Sequence, residues 1–119
     1  MKRARPRPRP RAHAALSPAF LALVAQRFQA LGEPARLEIL QAMRAGERTV
    51  TEIGTATGLR QANLSKHLQL LHRLGLVERR REGLYVRYRL ADPDVFRLCD
   101  IMCGRVAAET RQRGRLLGS

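Results

Sequence analysis

The hydrophobic pattern of this sequence changes period once, and the change falls on a single glycine. From Gln61 to Leu74 the apolar residues Leu64, Leu68 and Leu71 recur at the spacing of one helix face. Gly75 ends that run. The stretch LVERRREGLYVRYRL then alternates in steps of two around a turn near Glu82, Gly83 and Leu84, as two antiparallel strands do. A helix that runs straight into a hairpin has few ways to bury its apolar face. Upstream lies a short helix over about Thr51 to Thr57, capped by Thr49 or Thr51, and then a tight turn at Gly58-Leu59-Arg60. Short helix, glycine turn and longer helix make a helix-turn-helix. The hairpin directly behind it makes that unit a winged helix.

The flanks extend the same reading. Ser17 caps a first helix with Pro18 at its first position, running to about Leu31, with Phe20, Leu23, Val24, Phe28 and Leu31 along one side. Gly32 stops it. Pro34 opens a second helix carrying Leu37, Leu40 and Met43, which Gly46 ends. Asp92-Pro93 starts a last helix that runs to about Arg113. The expected fold is mainly α with a small β-hairpin: about five helices and a two-stranded wing. One domain spans residues 16–113, and residues 114–119 read as a flexible C-terminal tail. Residues 1–15, MKRARPRPRPRAHAA, read as a disordered arm. Lys2, Arg3, Arg5, Arg7, Arg9 and Arg11 make it basic, and Pro6, Pro8 and Pro10 hold it extended. It either tracks phosphates or is a solvated tail without consequence.

The charge says what the domain meets. There are 23 Lys+Arg against 10 Asp+Glu, a net charge of +13, which points to a polyanion, with nucleic acid ahead of an anionic membrane surface. The exposed start of the long helix carries Arg60, Gln61, Ala62, Asn63, Ser65, Lys66 and His67. Gln and Asn can bond adenine through two hydrogen bonds, Arg or Lys can read guanine, and Ser65 and Lys66 suit phosphates. His67 has an alternative role, packing on its own helix and bonding backbone. The hairpin adds Arg79, Arg80, Arg81 and Arg87. In its return strand Val86, Tyr88 and Leu90 should face the core, and Tyr85, Arg87 and Arg89 should face out. No Ser-His-Asp set, glycine-rich phosphate loop or carboxylate pair in a cleft supports an enzyme. No apolar run approaches the roughly 20 residues of a membrane span. Two cysteines make no disulfide framework, so a reducing cytoplasm is the expected compartment.

The stretches LGEPARLEILQAM and RQANLSKHLQLLHRLGLVERRREGLYVRYRL resemble the ArsR/SmtB family of bacterial transcriptional repressors over about residues 17–110. The resemblance implies a homodimer built largely from the first and last helices. It also implies an inverted-repeat operator in double-stranded DNA, and release of that DNA when an inducer binds. A non-specific basic DNA-binding protein and an effector-free repressor are the alternatives.

The sequence departs from the family's metal-sensing patterns. Where such members read LCVCDL, this chain reads RTVTEI, with Thr49 and Thr51 in place of the cysteines, and a hydroxyl is a poor ligand for a soft metal. A second family site uses Asp and His in the last helices. Here the last helix has Asp94, Asp100 and Glu109 but no His. No metal or other cofactor is therefore expected at either place. Cys99 and Cys103 remain. On a helical projection Cys99 lies near the centre of a stripe with Val95, Met102 and Val106, and Cys103 lies at its margin. Packing is the leading reading of this pair, because free Cys behaves as a small buried hydrophobe. A switch responding to oxidants or reactive sulfur comes second. Zinc or arsenite held by thiolates across a dimer axis is the disfavoured third.

Overall fold

The computed structural model describes residues 16–117. The expected basic arm over residues 1–15 and the last two residues lie outside them. Helix α1 spans Pro18–Leu31, α2 Pro34–Ala42, α3 Val50–Thr57, α4 Gln61–Arg73 and α5 Asp94–Leu117. The strands are β1 Arg48–Thr49, β2 Val77–Glu82 and β3 Tyr85–Leu90.

Local chemistry accounts for most of these boundaries. Ser17 caps α1, its hydroxyl accepting from the Phe20 N–H at 3.2 Å, with Pro18 at the first helical position. Glu33 caps α2 in the same way, accepting from the Ala35 N–H at 3.0 Å. A reciprocal pair opens α3: the Thr49 hydroxyl accepts from the Glu52 N–H at 3.1 Å, and the Thr49 N–H donates to the Glu52 carboxylate at 2.8 Å. The bonds to Thr49 hold the Glu52 carboxyl below the usual carboxylate range. Gly58, at φ 72°, ends α3 in the left-handed conformation that glycine adopts without steric cost.

Two expectations need correction. The wing is part of a three-stranded sheet, ordered β1-β3-β2, rather than a two-stranded hairpin alone. Arg48 and Thr49 pair antiparallel with Tyr88 and Arg87, so the start of the helix-turn-helix is stitched to the far strand of the wing. The last helix also continues to Leu117, so residues 114–117 are helical where a flexible tail is expected. Gly114 lacks a partner signal such as a following proline, and Arg111 and Arg113 favour the negative end of the helix dipole.

The core lies where the helix-turn-helix meets the sheet. Ile39, Leu40 and Met43 of the α2 region, Ile53 of α3, Leu64, Leu68 and Leu71 of α4, and Val77 and Tyr88 of the sheet are buried together. Each fully buried aliphatic chain contributes roughly 1.5–3 kcal/mol relative to exposure. The outer helices are different. Leu21, Leu23 and Phe28 of α1 and Leu98, Ile101, Met102 and Val106 of α5 are exposed. Helix α5 touches the body near its start, where Val95 and Phe96 pack on the core. A bidentate pair from Arg44 to Asp100, at 2.6 and 3.1 Å, and the Arg44 guanidinium over the Phe96 ring at 4.4 Å complete that junction.

Candidate nucleic-acid interface

Leu64, Leu68 and Leu71 bury one side of α4. At about 100° of turn per residue, that choice decides where every other side chain of the helix points. Ala62, Lys66, Gln69 and Arg73 form the line opposite the core, and all four are exposed. Gln61 and Ser65 turn to the flank that meets the wing. Asn63 and His67 turn to the other flank, toward α1 and α2. Asn63 is exposed. His67 is half-buried, and its Nδ1 lies 3.2 Å from Nη1 of Arg36 in α2. The expectation of a DNA-contacting His67 therefore meets a ring whose Nδ1 is engaged inside the protein. Arg60 is exposed just ahead of α4, and its carbonyl accepts from the Leu64 N–H at 2.9 Å. Gln69 and Arg73 were not singled out from sequence. Their spacing of seven from Ala62 and Lys66 is the signal that finds them.

The wing divides its arginines by strand register. Arg79 faces Tyr88 and Arg81 faces Val86 across the ladder, whereas Arg80 faces Arg87 and Glu78 faces Arg89. Residues directly opposite share a sheet face. Arg79 and Arg81 thus stand on the inner face with buried Tyr88, and Arg80, Arg87 and Arg89 stand on the outer one. The inward Val86, Tyr88 and Leu90 and outward Arg87 and Arg89 agree with the alternation in the sequence, whereas Tyr85, at the tip and expected to face out, lines the cleft on the inner side. On the outer face every arginine is paired. Arg80 donates to Glu47 at 2.6 Å and to Glu82 at 3.1 Å, Arg87 to Glu82 at 2.8 Å, and Arg89 to Glu78 at 2.7 Å. These contacts raise the Arg80 pKa and hold the Glu47 and Glu82 carboxyls below the usual range. Among the described residues no carboxylate lies within ion-pair distance of Arg79 or Arg81.

Between α4 and the inner wing runs an open cleft of about 590 Å³. Gln61, Ser65 and Gln69 line one wall, Arg79, Leu84 and Tyr85 the other, and Thr51 and Thr55 of α3 close one end. No Asp or Glu lines it. At the tip, Gly83 (φ 60°) precedes Leu84, which has negative φ, so the two-residue turn is of type II′. Leu84 is 97% exposed there.

Cys99 is half-buried and Cys103 exposed, and both are free thiols. Burial, and then Cys103 and Asp100, push the Cys99 thiol up, against a smaller opposing pull from Arg44. A raised pKa leaves less of the nucleophilic thiolate. Among the described residues no group of three His, Cys, Asp or Glu side chains is placed to hold a metal ion. No helix among them is long and apolar enough to cross a membrane.

Residues 33–79, from the α2 cap into β2, match the family described as "Bacterial regulatory protein, arsR family". The HTH-type transcriptional regulator Rv0324 of Mycobacterium tuberculosis is 48% identical over 80 residues, which are 67% of this chain and 35% of that protein. This chain thus spans about a third of that relative's length. The crystal structure of Rv0081 from M. tuberculosis superposes with a TM-score of 0.72 at 34% identity, over 82% of this chain and 98% of that one. The solution structure of the homodimeric winged helix-turn-helix DNA-binding domain Mb0332 from Mycobacterium bovis, described as a possible ArsR-family regulator, superposes with a TM-score of 0.67 at 42% identity, over 79% and 85%. Matched length, element order and the wing agree, and the chain belongs to the arsR family of bacterial regulatory proteins.

Proposed function

We propose that this chain is a homodimeric, sequence-specific repressor that binds an inverted-repeat operator. Helix α4 enters the major groove with Ala62, Lys66 and Gln69 toward the bases and Arg60, Gln61, Asn63 and Ser65 at the groove walls. The wing lies along the adjacent backbone through Arg79 and Arg81. One observation carries this reading. The wing-side flank of α4, with Gln61, Ser65 and Gln69, and the inner face of the wing, with Arg79, converge on a cleft lined by arginine and by no acid. The exposed apolar faces of α1 and α5 suit a second copy, and a homodimeric relative of 42% identity supports that arrangement. A dimer would set its recognition helices about 34 Å apart, one turn of DNA.

The test is an anisotropy titration against the DNA upstream of the chain's own gene and against a random duplex of equal length. Specific repression predicts tighter binding to the upstream DNA by about 10³-fold or more, with steep loss as salt rises. Equal affinity for both duplexes would instead make this a non-specific DNA-binding protein.

The inducer is a separate question. The raised Cys99 thiol favours packing of Cys99 and Cys103 at the dimer seam over a reactive switch or a zinc or arsenite site. Oxidant, polysulfide, zinc and arsenite should then leave affinity unchanged. A tenfold weakening by any of them, abolished by Cys99→Ser, would make the pair a sensor.

A further inference from the structure

Arg36 makes three contacts that join three helices. Its Nε donates to the Ala30 carbonyl at 2.6 Å and its Nη2 to the Gln29 carbonyl at 3.4 Å, both at the end of α1. Its Nη1 meets His67 Nδ1 of α4 at 3.2 Å. Guanidinium groups only donate, so Nδ1 is the acceptor and the ring proton sits on Nε2. Helix α4 has few other directional anchors. Its N-terminus carries no side-chain cap at Arg60, and its buried leucines supply attraction without direction. Among the described residues, the Arg36 contact is the one side-chain hydrogen bond joining α4 to another element.

We propose that Arg36 is a positioning residue for base reading: by holding His67 it fixes the roll of α4 about its own axis. The assignment rests on α4 being the reading helix, as proposed above. Side-chain tips sit about 5–6 Å from the helix axis, so a roll of about 10° moves them by roughly 1 Å. Lys66 and Ala62 move with His67 because they share the rigid helix. Hydrogen bonds to base edges need donor–acceptor distances near 2.9 Å, and a shift of that size breaks them. Long arginine and lysine chains reaching phosphates follow the shift and keep their contacts. Loss of the staple should therefore cost sequence discrimination more than affinity.

The experiment uses the full chain, a duplex selected by the wild-type protein from a random library, and a random duplex of the same length. Arg36→Lys keeps the charge and cannot reach all three acceptors. It should lower the selected-to-random affinity ratio about tenfold or more, with random-duplex binding within about twofold. His67→Asn keeps an acceptor at the position of Nδ1, and its ratio should stay within about twofold of wild type. His67→Gln places its amide near Nε2 instead, and its ratio should fall about fivefold or more. The His67 pair decides the matter even if Arg36→Lys fails to fold, which thermal melting would reveal. An unchanged ratio in His67→Gln, or a loss in His67→Asn with retention in His67→Gln, would overturn the assignment, the second outcome by showing Nε2 on the DNA. If the wild-type protein selects no sequence at all, the reading of α4 fails and this assignment fails with it.

Discussion

The two faces of the wing are built from the same residue type and are chemically opposite. On the outer face Arg80, Arg87 and Arg89 are each tied to Glu47, Glu82 or Glu78. On the inner face Arg79 and Arg81 stand without an acid among the described residues, and Arg79 lines the cleft that α4 walls. A run of three consecutive arginines therefore does two jobs. Neutralised arginines hold the sheet and its link to the segment before β1, and unpaired ones supply positive potential where a phosphate would lie. Counting charges along β2 cannot separate these roles. The pleat separates them, because successive side chains leave on opposite faces.

Removing the arginines of each face in turn separates the two roles. Arg79→Ala with Arg81→Ala should weaken binding to any duplex about 100-fold at physiological salt and flatten the salt slope by about 1.8, two phosphate contacts at about 0.9 each. Titrations at several salt concentrations check both numbers. Arg80→Ala with Arg87→Ala should change DNA affinity by less than about threefold, since surface ion pairs already occupy both groups. Its expected signature is a lower melting temperature, read by circular dichroism without DNA. If the outer pair proved as costly to binding as the inner one, the division of labour would be wrong.

The smallest effect is in pH. Arg80 holds the Glu47 and Glu82 carboxyls below their ordinary value, so the folded state binds fewer protons than the unfolded chain in that range. The resulting stabilisation is complete above the ordinary glutamate value of about 4.3 and is lost as pH falls below it, through the depressed folded values. Glu52 behaves alike through its bonds to Thr49. Melting temperature should drop as pH is lowered from about 5 to 3. Glu47→Gln should make that drop shallower, and an unaltered pH profile in this variant would show that the outer pairs contribute nothing.

Most of the fold was legible because its boundaries are written locally. Ser17-Pro18, Pro34, Gly58 and Gly75 punctuate the chain within a residue or two of where the helices start and stop. The apolar stripe Leu64-Leu68-Leu71 also fixed which face of α4 is free. What escaped was non-local. Strand β1 is two residues long, and its partners Tyr88 and Arg87 lie far downstream. Glu33 caps α2 although glutamate is not among the favoured capping residues. The engagement of His67 depends on Arg36, 31 residues earlier, and no pattern in α4 announces it. The sorting of Arg79–Arg81 followed from register, which needs the third strand and the turn to be placed first.

That two-residue strand has a kinetic consequence. The helices and the β2–β3 hairpin close over short loops, whereas Arg48 can meet Tyr88 only after the forty or so intervening residues have been brought together. Closing a longer loop costs more entropy, so the β1–β3 pairing is expected to form after the local helices and the hairpin. Thr49 of that strand also caps α3, so a chain in which the pairing has not formed holds α3 and the wing without the sheet link between them.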